Sequence, residues 1–131
     1  MNPKGIVHVA CKSPVTETGD RLESLLRAKG MKIFSRIDQA AEARAVGLAM
    51  RPMILLLFGN PAAGTPLMIR YPSLAMDLPL KALIWEAEDG KVWLSHNSAE
   101  FLQQRHGLDA PPFLPVENLL KAAAVASGLP A

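Results

Sequence analysis

The chain has one cysteine, Cys11, and therefore no internal disulfide. Its fold must rest on packing, and a reducing, cytoplasmic setting is the expectation. No apolar stretch approaches the roughly 20 residues that cross a bilayer, so no membrane association is expected. The opening residues Met1–Gly5 lead into about five apolar residues before Lys12, too few for a secretion signal. There is no run of Lys or Arg: 14 basic residues meet 12 acidic ones, and a net charge of +2 gives a nucleic-acid backbone little to bind. Repeats, low-complexity tracts and linkers are missing as well, and 131 residues suit one domain, residues 1–131, with one core.

What the chain does have is an uninterrupted apolar run, Met53 to Gly59, that stops at Asn60-Pro61. Apolar at every position rather than at alternate ones, it reads as a central strand covered on both faces. Asn60 precedes a proline and is pushed out of the helical region, Pro61 fixes its own φ, and Gly64 relieves the turn. Thr65-Pro66 has the form of an N-cap followed by proline at the first helical position, which predicts a short helix over 66–70 that Pro72 keeps from running on.

The flanking sequence reads in order. Gly5–Cys11 is a β-rich run and the expected first strand. Ser13-Pro14 starts an amphipathic helix over Pro14–Lys29, with Leu22, Leu25 and Leu26 at helical spacing and Gly30 behind; Gly19 weakens it. Met31–Asp38 alternates Ile33, Ser35 and Ile37 against Lys32, Phe34 and Arg36, a second strand, and Asp38 caps a short helix over Gln39–Val46 closed by Gly47. Asp89-Gly90, between two strand-like runs in Leu80–Asn97, predicts a hairpin with a two-residue turn. That register places Leu83, Trp85, Ala87, Val92, Leu94 and His96 on the core face, and Ile84, Glu86, Glu88, Lys91, Trp93 and Ser95 on the other. Ser98 caps a helix over Ala99–His106 stopped by Gly107, Pro111–Pro115 is an extended connector, and Val116, Leu119, Leu120 and Ala123 or Ala124 form the stripe of a last helix ended by Gly128. The fold class that follows is α+β: a two-layer sandwich with one mostly antiparallel sheet of about five strands and helices on one face.

Phe58-Gly59-Asn60-Pro61 with Gly64 and Leu67-Met68, then Ala75-Met76-Asp77-Leu78-Pro79-Leu80 and Gly90-Lys91-Val92-Trp93, resemble the bacterial domain-of-unknown-function family number three hundred and two. The likeness runs over nearly the whole chain. It implies a curved antiparallel sheet in a β-α-β-β-β-β-α sandwich, commonly a homodimer; it implies no activity and brings no catalytic residues. Where the resemblance suggests a tyrosine near position 96, this chain has His96, so a site built on a phenol is not expected.

Several residues qualify as a site. The Gly59-Asn60-Pro61-Ala62-Ala63-Gly64-Thr65 loop aims backbone N–H groups and a helix N-terminus at one spot, which suits a small anion, or is a tight turn shaped for packing. No Gly-Lys-Ser/Thr follows, so nucleotide hydrolysis is not indicated. Asp77 is a general base or a cap for backbone at the strand entrance. Cys11 lacks an activating neighbour and reads as a buried structural thiol. His8, His96 and His106 lie on separate elements with no HxxxH or HxH spacing, so neither metal nor cofactor is expected. Ser95, His96 and Asp77 can be written as a triad but lack a nucleophile elbow. Trp93, with Ile84 and Glu86, lines a groove or meets a dimer partner. The leading expectation is a non-catalytic binding or interaction module, homodimeric, taking a small anionic ligand at Gly59, Asn60, Gly64, Thr65, Asp77, Glu86, Trp93 and His96. The alternative is an enzyme acting on a small anionic metabolite, with Asp77, Glu86 or His96 as acid and base. Nucleic-acid binding on the sheet ranks third and predicts affinity that falls steeply with salt.

Overall fold

In the computed structural model, which describes residues 3–126, five strands form one sheet whose neighbours are all antiparallel. Its edges are β1 (Ile6–Cys11) and β2 (Lys32–Asp38); between them lie β5 (Val92–Asn97), β4 (Leu80–Glu86) and β3 (Met53–Gly59), in the order β1-β5-β4-β3-β2. The last four strands therefore form a meander, with β1 added beside β5. The helix α1 (Val15–Ala28) must carry the chain from one edge to the other, and it does so across one sheet face, packed beside α5 (Leu114–Val125). Shorter pieces fill the connections: α2 (Gln39–Ala45), α3 (Pro61–Arg70), a 3-10 turn over Pro72–Met76, and α4 (Ala99–His106).

The core lies between that face and the two long helices. Ile54, Leu56 and Phe58 of β3, Ala82 and Ile84 of β4, and Leu94 of β5 meet Leu22 and Leu26 of α1 and Leu120 and Ala123 of α5. The intervening residues of β3, namely Met53, Leu55 and Leu57, point to the opposite face and remain half-buried. Continuous apolarity thus marks a strand with one face buried under α1 and α5 and a second that is only half-buried. Arg21 of α1 ties the helices together: its guanidinium donates to the Ala123 carbonyl at 3.3 Å, near the end of α5, where cations are favoured.

Four local expectations change. Asp89-Gly90 does make a hairpin, but the loop has three residues, Glu88-Asp89-Gly90. Gly90 donates to the Ala87 carbonyl at 2.9 Å and holds φ 85, a type I turn closed by a left-handed glycine. The register moves by one residue, and on β4 every side chain changes face. Ile84 stands opposite Leu94 in the core, whereas Trp85 faces Trp93 and Leu83 faces Ser95 on the open side. On β2, a bulge between Ile33 and Ser35 breaks the alternation. Arg36 consequently lies on the helix side, 2.8 Å from Asp20 and 3.0 Å from Glu23 of α1. Gly19 leaves the room: a Cβ there would stand 3.2 Å from the guanidinium.

The third change is at α3, which begins at Pro61 and is capped by Asn60, with Thr65-Pro66 inside it. Ser13 likewise does not cap α1; its hydroxyl accepts from Arg21 at 3.4 Å. Asp38 and Ser98 cap their helices as expected, and Gly107 closes α4 with φ 66. The glycine expected to end α5, Gly128, lies outside the described residues.

Candidate functional site

The end of β3 sets the site. Asn60 leaves the strand extended, and its Oδ1 turns back to accept the Ala62 N–H at 3.0 Å. Its backbone carbonyl accepts from Ala63 at 3.0 Å and Gly64 at 2.8 Å. Pro61 has no N–H to offer. The first turn of α3 therefore consumes its own donors, and these amides are not left to grip an anion.

Between this turn, the Leu78-Pro79-Leu80 entry to β4 and the start of α5 lies a cleft of about 490 Å³, the size of a small-molecule site. Met31, Met68, Leu78, Leu80, Phe113 and Val116 contribute to its walls, and among the described residues Asn60 and Thr65 are its only polar lining. The β2 bulge turns Phe34 to the rim, where it is 44% exposed. Phe113 adopts φ 56 immediately before α5, a left-handed conformation that a bulky residue takes only under constraint.

Gly59, Asn60, Gly64 and Thr65 come together in this cleft. Asp77 and His96 do not join them; both are buried and line a neighbouring cavity of about 20 Å³, room for about one water. The Asp77 carboxylate accepts from His106 Nε2 at 2.5 Å, with Arg105 Nη1 at 3.4 Å from its other oxygen. His96 Nδ1 meets the Asn97 carbonyl at 2.9 Å, and since a carbonyl only accepts, that nitrogen carries the proton. Glu86 and Trp93 lie at the hairpin end of the sheet, about 20 Å along β4 from Leu80 at roughly 3.3 Å per residue. There Glu86 pairs with Arg51 at 3.0 Å. Trp93 sits edge-on to His8, with ring centres 6.5 Å apart.

The triad written from Ser95, His96 and Asp77 does not assemble. Ser95 faces the open side of the sheet, where its Oγ accepts from Trp85 Nε1 at 2.9 Å and meets His8 Nδ1 at 2.6 Å. The His8 Nε2 atom is buried there without a hydrogen-bond partner. Burial pushes the Cys11 thiol up to about 11, with Thr18 and Arg21 pulling back only part of that rise; such a thiol is a poor nucleophile near neutral pH. Among the described residues no group of three His, Cys, Asp or Glu side chains converges as a metal site. Ser73 and the pairing of His106 with Asp77 were not legible in the sequence: the pair is 29 positions apart on separate elements, and no spacing rule links them.

Fold and site together define a two-layer α+β sandwich with an apolar cleft beside a self-capped strand-to-helix turn. The pattern of the family described as "Domain of unknown function DUF302" matches residues 7–126, and the chain belongs to that family. The same fold occurs in the crystal structure of the uncharacterized conserved protein DUF302 from Bacillus stearothermophilus. The TM-score is 0.77 at 19% identity, over 93% of this chain and 97% of that one. A protein of Brucella suis biovar 1 (strain 1330) named fluoride-specific ion channel FluC 1 is 42% identical over 104 residues, 79% of this chain but 41% of its own length. Fluoride-specific ion channel FluC 2 of Brucella melitensis biotype 1 is also 42% identical over 104 residues, 38% of its length. The chain thus spans about two-fifths of the length of these curated relatives. Among the described residues, no helix is long and apolar enough to cross a membrane.

Proposed function

We propose that the chain is a small-ligand-binding module whose ligand is apolar, held in the cleft between the β3–α3 turn and the start of α5. The lining of that cleft carries the reading: about 490 Å³ bounded by Met, Leu, Phe, Pro and Val side chains, with no charged residue among the described ones. Each 100 Å² of apolar surface a ligand buries there contributes about 2.5 kcal/mol, and the Thr65 hydroxyl offers a polar contact to orient it. An anion fits this lining less well, because the amides of the turn are already bonded within it. In the fluoride-channel relatives, we read the shared region as a module joined to the channel rather than its pore. The longest described helix, α1, has 14 residues, short of the roughly 20 a crossing needs.

Thermal melting against a medium-chain fatty alcohol, a neutral aromatic dye, phosphate and fluoride tests the reading. A ligand at a hundred times its Kd adds about 2.7 kcal/mol, a shift of a few degrees for a chain of this size. The apolar ligands should raise the melting temperature of the wild type and leave Met68→Trp, which fills the cleft, unmoved. A response to the anions alone, or to nothing on the panel, would discard it.

A second copy of the chain is the partner we infer for the open sheet face. Leu55, Leu57, Leu83 and Trp85 are half-buried there, with Lys32 and Lys81 on the same face. Two-fold pairing would bury the apolar centre and leave the lysines at the rim. Sedimentation should report a dimer that Leu57→Glu dissociates; a monomeric wild type at tens of micromolar would count against it.

A further inference from the structure

Ser73, His106 and Asp77 form a hydrogen-bonded chain that neither the cleft nor the core employs. Asp77 closes the 3-10 turn over Pro72–Met76, and its carboxylate accepts from His106 Nε2 at 2.5 Å. His106 is the last residue of α4, and its side chain is 4% exposed. A carboxylate only accepts, so the neutral ring carries its proton on Nε2 and presents a bare Nδ1. That nitrogen lies 2.8 Å from the Ser73 hydroxyl, which is open to solvent. Arg105 holds the second carboxylate oxygen at 3.4 Å. Nucleophile to base, and base to buried orienting carboxylate, is the geometry that activates a serine whatever the fold or the chain order. Asp77 and His106 alone would suffice to pin the 3-10 turn to α4. The third link adds an accessible hydroxyl aimed at a base.

We propose that Ser73 is a nucleophilic serine that takes acyl groups from small activated esters, with His106 as base and Asp77 as positioning residue. Ser73 Oγ attacks the ester carbonyl carbon as its proton passes to His106 Nδ1. The carbon–oxygen bond to the leaving alcohol then breaks, and the imidazolium returns that proton to the departing oxygen. Water, deprotonated by the same nitrogen, releases the acid and restores the serine.

The test is covalent labelling of the full chain with p-nitrophenyl acetate and with a fluorophosphonate, read by peptide mass. An adduct on Ser73 is expected, absent in Ser73→Ala and formed at least about a hundredfold more slowly in His106→Gln. Its rate in the wild type should rise with pH and then level off, the profile of a base held within the protein, with Asp77 and Arg105 the charged groups around the ring. Ser73 is exposed, so Ser73→Ala should melt as the wild type does; if His106→Gln unfolds, the wild-type pH profile decides. No adduct on Ser73, or one whose rate simply follows hydroxide, would leave the three residues as a structural tie.

Discussion

Trp85 and Trp93 stand directly opposite one another across the β4–β5 hairpin, on the sheet face turned away from α1 and α5. Their pairing follows from one extra residue in the turn, and it decides which side of β4 is core. Ile84 is fully buried while its neighbour Leu83 is half-exposed. Ile84→Ala should therefore cost about 2–5 kcal/mol in urea unfolding, and Leu83→Ala less than half of that. A two-residue turn would reverse the order.

Asn60, not Thr65, caps α3. Asn60→Ala should destabilise by about 1 kcal/mol, and Asn60→Asp should recover most of the loss. Thr65→Ala, at an exposed position, should stay within about 0.5 kcal/mol. Equilibrium denaturation of the three variants distinguishes the two capping schemes.

Gly64 lies inside α3, and a Cβ added there would sit 3.5 Å from Leu78 Cδ1, an ordinary contact. Gly64→Ala should stabilise by up to about 1 kcal/mol, the helix-interior cost of glycine. Gly5 goes the other way. With φ 78 and the Phe101 ring 2.2 Å from its Cβ position, Gly5→Ala should lower the melting temperature. A stabilised Gly5→Ala would mean that Phe101 does not pack there.

The Cys11 thiol is raised to about 11 from an ordinary 9.0, chiefly by burial. A raised acid favours its protonated form in the folded state, so the stabilisation is full below about pH 9 and is lost as pH climbs through about 11. Iodoacetamide should label the native chain far more slowly at pH 8 than the unfolded chain. Cys11→Ala should remove this part of the alkaline decline in stability.

Much of the fold was legible because local chemistry decides it. Hydrophobic period, proline, glycine and short polar caps predict the order of elements, and Asp38, Ser98 and Gly107 end their helices where those rules place them. The Gly59–Thr65 turn stood out as a wall of the candidate site for the same reason: a strand cannot continue through Asn60-Pro61.

The face of β4 was not legible. Two- and three-residue turns share the Asp-Gly signal, and a side-chain period of two converts a one-residue difference into a reversal of every side chain. The bulge that puts Arg36 on the helix side depends on Asp20, Glu23 and the space at Gly19, none of them local to β2. The character of the cleft was hidden as well. The sequence alone indicated strand, turn and helix, and from an N-terminal turn it suggested an anion. Tertiary structure added what the sequence lacked: Asn60 uses up the donors of the turn, and Met31, Phe113 and Val116 arrive from distant segments to line the cleft with hydrocarbon. Hydrogen bonds within a turn are short-range in sequence, but what faces the turn across a cleft is set by packing between elements, and no local pattern encodes that.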